Sequence, residues 1–424
     1  NMELIYEFSH GTLQVSRYFV ISLVECYIGH WHLNTYIKAL GILTTLFLLH
    51  KTHVKNKKIV ALVRTFMVYM GLTTIMYLFN GRPISLVRDD LMNMFPAMLF
   101  VWVGMADNRS ENTFYKKFLI YGGIIFAIGL SCYLGNMGWY MARMAEARNQ
   151  LAYIDSDSYN ADNIWGSLRF CSFFSDSYQV SHFSAFGVGA ALFFVNSTSR
   201  FKYDYIYLSI FALACLLCQH RVAIAVCIAA FVFFFFYKRL FFNIHFWAVI
   251  AIMATFIVSA VSCLGVTLDD NMELLIEKVL GRLKEMTFSQ AMEGSRTEQA
   301  ARLLRDFHSL FVGEGLGSAS PVAAYFGFSC IADGAYVKLL FETGIIGLSF
   351  FIYIAIITIV RGLKKFSYLF IDLFVICFTL VAMTGSNTLT MGYLLTIPFW
   401  YALGHIWNDD YLNNAIQSNI KLVR

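Results

Sequence analysis

Arginine residues border the long apolar runs of this sequence at three places. Arg169 ends one polar stretch, Arg221 interrupts an apolar run, and Arg296 lies in Ser295-Arg296-Thr297-Glu298. That tetrapeptide is a capping-box pattern, so it predicts a helix with Arg296 in its first turn. A guanidinium binds phosphate through paired hydrogen bonds, and a helix N-terminus also attracts anions. These residues therefore indicate a site for a phosphate or diphosphate group. The alternative for Arg296 is a solvated surface arginine, and for Arg221 a side chain that snorkels to lipid headgroups.

The predicted helix carries two further arginines. Arg302 and Arg305 lie on neighbouring faces, and Arg302 follows Glu298 by four residues, so a helix salt bridge is its simpler explanation. His308 is interpreted as structural. The helix should end at Gly313–Gly317, where glycine supplies the left-handed C-cap. This glycine turn is not a phosphate-binding P-loop, because no Lys-Ser or Lys-Thr pair follows it.

Acidic residues provide candidates for proton transfer. Asp333 lies just before an apolar helix and could act as a general base or orient a hydroxyl group; the alternative is an N-cap of that helix. Lys338 and Glu342 are spaced i, i+4 and should neutralise each other. Asp155-Ser156-Asp157 matches a short metal-binding motif, but it lies in a polar Asp/Ser/Asn run and is not assigned that role. The histidines and cysteines lack zinc-site spacing, so no metal is predicted.

The elements that must position these residues are apolar helices. The chain has 424 residues, of which 58% are hydrophobic and 14% charged, and its mean hydropathy is +0.61. We therefore predict an all-α polytopic membrane protein with about 11–12 transmembrane helices, forming a single integral membrane domain over residues 1–424. A β-barrel would show short alternating segments instead. The candidate spans are 13–30, 35–50, 59–79, 92–106, 117–134, 178–195, 203–219, 222–237, 240–264, 335–360, 367–385 and 390–406.

One apolar run shows how polar residues divide the chain. Residues 203–237 are too long for a single crossing, and Gln219, His220 and Arg221 should break them into a helical hairpin. Cys215 and Cys218 form a Cys-x-x-Cys pair within this run. Inside a spanning helix, that pair is interpreted as packing rather than redox chemistry.

Loop charges predict the orientation. Alternate short loops are basic, so the positive-inside rule places them, and both termini, in the cytoplasm. Two long loops then lie outside, at about 135–177 and 265–334, and are expected to contain helices. The second holds ten acidic and six basic residues, so its arginines do not serve topology. The basic loop residues are Lys51, Lys55, Lys57, Lys58, Lys116, Lys117, Arg200, Lys202, Lys238, Arg239, Arg361, Lys364 and Lys365.

Four segments resemble the O-antigen polymerase and ligase superfamily of bacterial envelopes, including the Wzy-type polysaccharide polymerases. Their order, spacing and predicted outer-side placement agree with that superfamily. Arg302 and Gly313 also fit the loose R-x10-G spacing described for the polymerases. The segments are RFCSFFSDSYQVSHFSAFG (169–187), QHRVAIAV (219–226), GSRTEQAARLLRDF with FVGEGLGS (294–318) and ADGAYVKLLFETGIIGL (332–348).

The resemblance implies a GT-C-like, inverting glycosyltransferase at the outer face of the bacterial cytoplasmic membrane. Its donor and acceptor would be glycans on undecaprenyl diphosphate, within membrane lipid, and no metal or cofactor would be needed. A chain-length regulator protein is an implied partner, and nucleic acid is not. Asp333, Arg221 and Arg296 would be catalytic. The residues expected to bind the diphosphate are Arg169, Arg221, Arg296, Arg302 and Arg305.

Two other functions stay open. A ligase would transfer finished glycan to lipid A core, but ligases carry a histidine just ahead of the helix that here begins near Ala335. This chain has Asp333 there, which favours the polymerase. A polysaccharide transporter or flippase would place polar residues at the membrane midplane. Here they gather at the predicted outer face, in long loops and at the hairpin.

Overall fold

The structure is a computed structural model, and it describes only part of the chain. Within the described residues the secondary structure is helical, without strands. These residues are 57–79, 84–107, 113–142, 170–172, 177–195, 204–218, 220–237, 247, 251, 307–319, 334–384 and 393–412. The helices are α1 (Lys57–Phe79), α2 (Ile84–Met98), α3 (Phe100–Ala106), α4 (Thr113–Leu134), α5 (Ser177–Phe194), α6 (Asp204–Cys218), α7 (Arg221–Tyr237), α8 (Phe307–Val312), α9 (Ala335–Leu363), α10 (Phe366–Ala382) and α11 (Tyr393–Ile406).

Three of these helices are long and apolar enough to cross a membrane. They are Lys58–Phe79, Phe114–Leu134 and Ala335–Leu363, and several shorter apolar helices accompany them. A crossing requires about 20 residues at about 1.5 Å each. The helices are therefore compatible with the predicted all-α membrane protein. The candidate spans 13–30, 35–50 and almost all of 240–264 lie outside the described residues.

The predicted span 92–106 coincides with a shorter apolar helical segment, Met94–Ala106. The helical segment begins at Ile84 and divides into α2 and α3 at Leu99. Pro96 lies inside α2, where its ring nitrogen has no N–H to donate to the preceding turn. After the junction, the Trp102 N–H donates to the Leu99 carbonyl at 3.1 Å, three residues back rather than four. The hydropathy of 92–106 did not reveal the polar first half of α2.

The predicted hairpin at residues 219–221 is confirmed. α6 ends at Cys218, and α7 begins at Arg221. The packing interpretation of the two cysteines is also confirmed, because Cys215 and Cys218 are buried and neither forms a disulfide. Cys215 Sγ instead lies 3.6 Å from Cys227 Sγ on α7.

The described helices form two compact units. α4 to α7 belong to one, here called the second unit, and its core is aromatic. Phe118 and Phe183 have ring centroids 4.3 Å apart, and Phe126 lies edge-on to Phe211 at 5.2 Å. Gly187 allows this close packing, since a Cβ there would overlap the Phe211 ring. The core therefore holds α4, α5 and α6 together.

The first unit contains α1 to α3 and α8 to α11. α3 and α11 cross with their backbones in direct contact. A Cβ on Gly104 would overlap the Tyr401 carbonyl, and one on Gly404 would overlap the Val101 carbonyl. Small residues permit such close crossings between membrane helices. The single integral membrane domain over residues 1–424 remains a prediction.

Candidate active site

The predicted site residues lie mainly outside the described part of the chain. Arg221 begins α7, but its side chain is not described. The structure does describe the chain immediately next to several of these residues. The predicted site residues outside the described ranges are Arg169, Arg296, Arg302, Arg305 and Asp333.

The chain beside Arg169 is attached to the end of α6. The Phe170 N–H donates to the Leu217 carbonyl at 3.3 Å, and the Cys218 thiol donates to the Phe170 carbonyl at 3.3 Å. The Phe170 ring is fully buried, next to Tyr133 at a centroid distance of 5.5 Å. Arg221 begins the next helix. Two of the predicted arginines therefore have backbone neighbours at the same end of the second unit.

A histidine pair at this end was missed by the sequence reasoning. The His182 and His220 rings have centroids 5.1 Å apart. His220 Nδ1 accepts from the Ala223 N–H at 3.4 Å, as an N-cap of α7. In the neutral ring, the proton then lies on Nε2, so that nitrogen is a hydrogen-bond donor. His182 is buried in α5, with Nδ1 3.4 Å from Ser181 Oγ. Both histidines are polar residues next to apolar sequence, and this polarity is the feature that could have identified them.

In the first unit, the glycine turn ends a helix as predicted. α8 ends at Val312, and Gly313 has φ +83°, the left-handed conformation of a C-cap glycine. Gly315 and Gly317 also have positive φ. A Cβ on Gly315 would lie 2.6 Å from Tyr77 Cβ on α1. Glycine is therefore required by both backbone conformation and space.

The glycine turn packs against a break in α9. Gly344 interrupts α9 with φ +66° and ψ −176°, so the carbonyls before it lack their usual helical partners. The Glu314 N–H donates to the Phe341 carbonyl, and the Gly315 N–H to the Glu342 carbonyl, both at 2.9 Å. The glycine turn supplies the hydrogen bonds that the broken helix lacks.

α1 contacts both the glycine turn and the broken helix. The Tyr69 hydroxyl lies 2.9 Å from the Thr343 carbonyl and 3.1 Å from the Val312 carbonyl, and shares its one proton between them. The Leu316 N–H donates to Thr74 Oγ1 at 3.4 Å. Three chain segments thus meet with their polar groups paired. We call this contact between α1, the glycine turn and the Gly344 break the α9 joint.

A buried ion pair completes the α9 joint. Lys338 Nζ lies 3.7 Å from Glu342 Oε1, and the two residues are 2% and 1% exposed. The predicted i, i+4 pair is therefore confirmed. The same Glu342 oxygen accepts from the Gly317 N–H at 3.0 Å. Glu342 therefore binds the glycine turn through both its side chain and its backbone.

The start of α9 is fixed to the end of α10. The Ala335 N–H donates to the Met383 carbonyl at 2.9 Å, and the Tyr336 hydroxyl to the Leu380 carbonyl at 2.8 Å. Gly334 is the N-cap of α9, with φ +101°. Asp333 thus precedes the cap by one residue, so its alternative role as the N-cap itself is not supported.

A second buried polar cluster lies near the other end of α9. His405 Nδ1 and Asp372 Oδ2 are 2.9 Å apart, and both side chains are 1% exposed. The Tyr401 hydroxyl donates to Asp107 Oδ2 at 2.9 Å, and Asn408 Nδ2 to the Asp107 carbonyl at 2.8 Å. These contacts link α3, α10 and α11. Because these polar groups pair with one another, we interpret the cluster as structural.

The metal-binding groups of the described residues are scattered. No cluster of three or more His, Cys, Asp or Glu side chains among them could hold a metal ion. The described arrangement places polar groups beside the predicted arginines at two positions. The α7 terminus carries Arg221 and the His220 Nε2 donor, and the α9 joint holds the chain that follows Arg302 and Arg305.

Comparisons with known proteins assign no family to the chain. No protein-family model matches the sequence, and no curated protein is significantly similar to it. The resemblance to the polymerase and ligase superfamily therefore rests on the four motif segments and on their order.

Proposed function

We propose that this protein polymerises oligosaccharide repeat units carried on undecaprenyl diphosphate, for O-antigen, capsule or exopolysaccharide. The observation that carries the proposal is the attachment of Phe170 to Leu217 and Cys218. This attachment brings the backbone next to Arg169 to the end of the unit from which Arg221 begins α7. Two arginines whose chain neighbours meet at one helix end suit an anionic ligand better than two independent surface residues do.

The proposed membrane setting follows from the apolar helices and the loop charges. The protein is a GT-C-like bundle of about 11–12 transmembrane helices in a bacterial cytoplasmic membrane, with both termini inside. Charge alternation in the short loops and the confirmed hairpin at residues 219–221 support this topology. Arg169, Arg221 and the glycine turn then belong to the outer side, where lipid-linked glycans would be met.

In the proposed reaction, Arg221 and Arg296, with Arg169, bind the donor diphosphate. A hydroxyl oxygen of the acceptor repeat unit attacks the anomeric carbon of the growing glycan. The bond from that carbon to the diphosphate oxygen breaks with inversion, and its electron pair leaves with undecaprenyl diphosphate. Asp333 accepts the hydroxyl proton. Guanidinium groups offset the charge that develops on the leaving group, so no metal or cofactor enters the scheme.

The experiment is polymerisation in proteoliposomes containing a lipid-linked repeat unit. By analogy with the loss of one oxyanion-hole donor, Arg221→Ala and Arg296→Ala should each lower the rate by on the order of 100-fold or more. Arg221→Lys keeps the charge but loses the paired hydrogen bonds, so it should fall between wild type and alanine. Lys364→Ala is the matched control, because Lys364 is exposed in a predicted cytoplasmic loop.

The products distinguish the alternatives. A ladder of glycan lengths on the lipid carrier supports the polymerase, whereas transfer of intact glycan to added lipid A core supports a ligase. Movement of the lipid-linked glycan between leaflets without glycosidic bond formation supports a flippase. Normal rate and polymer length from the Arg221→Ala/Arg296→Ala double variant would refute the arginine mechanism.

A further inference from the structure

The α9 joint holds the glycine turn that follows the arginine-bearing part of the predicted outer loop. Arg302 and Arg305 precede Gly313 by eleven and eight residues. If the predicted helix is continuous to Val312, they lie roughly 16 Å and 12 Å along its axis from the glycine turn. Over such lengths, a small change in the direction of that predicted helix would move an arginine by ångströms. The direction of α8 depends on what holds its C-terminal end.

The backbones around Gly313 and Gly344 pack so closely that neither residue has room for a Cβ atom. A Cβ on Gly313 would lie 2.5 Å from the Glu342 carbonyl carbon, and one on Gly344 would overlap the Phe311 carbonyl. Both glycines also have positive φ. α8 therefore leaves the α9 joint in a direction set by direct backbone contact.

Glu342 is an unusual choice for a purely structural position. Its carboxylate is 1% exposed, and its partner Lys338 is at 3.7 Å, near the long limit of an ion pair. Replacing a buried ion pair by apolar residues of similar volume is often neutral or stabilising. A charged pair here thus adds little stability, but the carboxylate oxygen fixes one backbone amide, the Gly317 N–H at 3.0 Å.

We propose that Glu342 and Tyr69 are positioning residues that orient the arginine-bearing arm of the outer loop through the α9 joint. This inference rests on the proposed function. Glu342 holds Gly315 and Gly317 from the α9 side. Tyr69 holds Val312, the last residue of α8, from the α1 side. Neither residue contacts substrate; each acts through the arginines, and misplacement of such groups by about 1 Å can cost roughly 100-fold in rate.

A matched pair of double variants isolates the hydrogen bond from the charge. Lys338→Met/Glu342→Gln and Lys338→Met/Glu342→Leu have the same charge and similar side-chain volumes. Only glutamine retains an oxygen that can accept from the Gly317 N–H. The glutamine pair should keep a polymerisation kcat within about threefold of wild type. The leucine pair should lose at least tenfold in kcat, measured per folded molecule.

Two readouts accompany the kinetics. Amide hydrogen exchange of residues 313–319 should quicken about tenfold in the leucine pair and little in the glutamine pair. Tyr69→Phe removes the hydroxyl that holds the joint from the α1 side. It should lower kcat and quicken exchange as the leucine pair does, but by less. This variant tests the inference even if the leucine pair fails to fold. A merely structural role would reduce the amount of folded protein and leave kcat per folded molecule unchanged.

Equal loss of kcat in both double variants overturns the inference, because the charge and not the acceptor would then matter. Faster exchange without a change in kcat, in the leucine pair or in Tyr69→Phe, also overturns it. If wild-type protein forms no glycosidic bonds from any lipid-linked repeat unit, the proposed function itself fails, whatever the exchange rates show.

Discussion

Replacing Gly344 with alanine should test whether the break in α9 is imposed by the glycine turn. Gly344 has φ +66° and ψ −176°, a region occupied almost only by glycine. An alanine Cβ would overlap the Phe311 carbonyl and lie 2.7 Å from Gly313 N. The variant must therefore either keep the break with a strained backbone, or straighten α9 and lose its contact with the glycine turn.

Both routes cost a similar amount. Keeping the break costs about 1–3 kcal/mol in backbone strain before any overlap is counted. Straightening the helix loses the bonds from Glu314 and Gly315, each worth about 0.5–1.5 kcal/mol. It also leaves the Gly317 N–H and the Glu342 carboxylate without each other, and regains about 1 kcal/mol from alanine in a helix. We expect the free energy of unfolding to fall by about 2–3 kcal/mol.

The assay is unfolding in mixed micelles, followed by far-ultraviolet circular dichroism, with hydrogen exchange of residues 313–319 alongside. Gly71→Ala is the matched control, because Gly71 lies inside α1 and a Cβ there would meet nothing within 4 Å. That variant should gain up to about 1 kcal/mol. A Gly344→Ala protein as stable as wild type, with unchanged exchange in the glycine turn, would refute the reasoning.

Two further predictions concern the first unit. Asp372→Ala or His405→Ala should each lower the free energy of unfolding by about 3–5 kcal/mol, because either removes the ion-pair partner of a buried side chain. Asp372→Ala/His405→Ala should lose much less than the sum of the two single losses, and additive losses measured in the same micelles would contradict a direct pair. Gly404→Val should separate α3 from α11 and cost more than about 2 kcal/mol; a variant with unchanged stability would argue against that crossing.

Local physics made part of this structure predictable. The hairpin between α6 and α7 follows from three polar residues in an apolar run, and the left-handed conformation of Gly313 from a helix that ends in glycine. The Lys338 and Glu342 pair follows from helical spacing. Each depends on residues close in sequence, so the pattern contains the information.

Other features depend on distant residues and could not be derived in this way. The break at Gly344 exists because the chain about 30 residues earlier supplies its hydrogen bonds. Within an apolar run, Thr343-Gly344 predicts no such interruption. The His182 and His220 contact joins α5 to the start of α7, and no spacing rule connects them. The predicted arginines and Asp333 remain predictions about side chains beyond the described residues.

The interruption of α9 also affects how this helix matches a bilayer. At 29 residues, an unbroken α9 would measure about 43 Å, well beyond a hydrocarbon thickness of about 30 Å. The stretch from Ile345 to Leu363 measures roughly 28 Å, close to that thickness. The shorter stretch before Gly344 is then free to lie at headgroup depth. At that depth, the buried Lys338 and Glu342 pair would lie away from the bilayer centre, where charges are most costly.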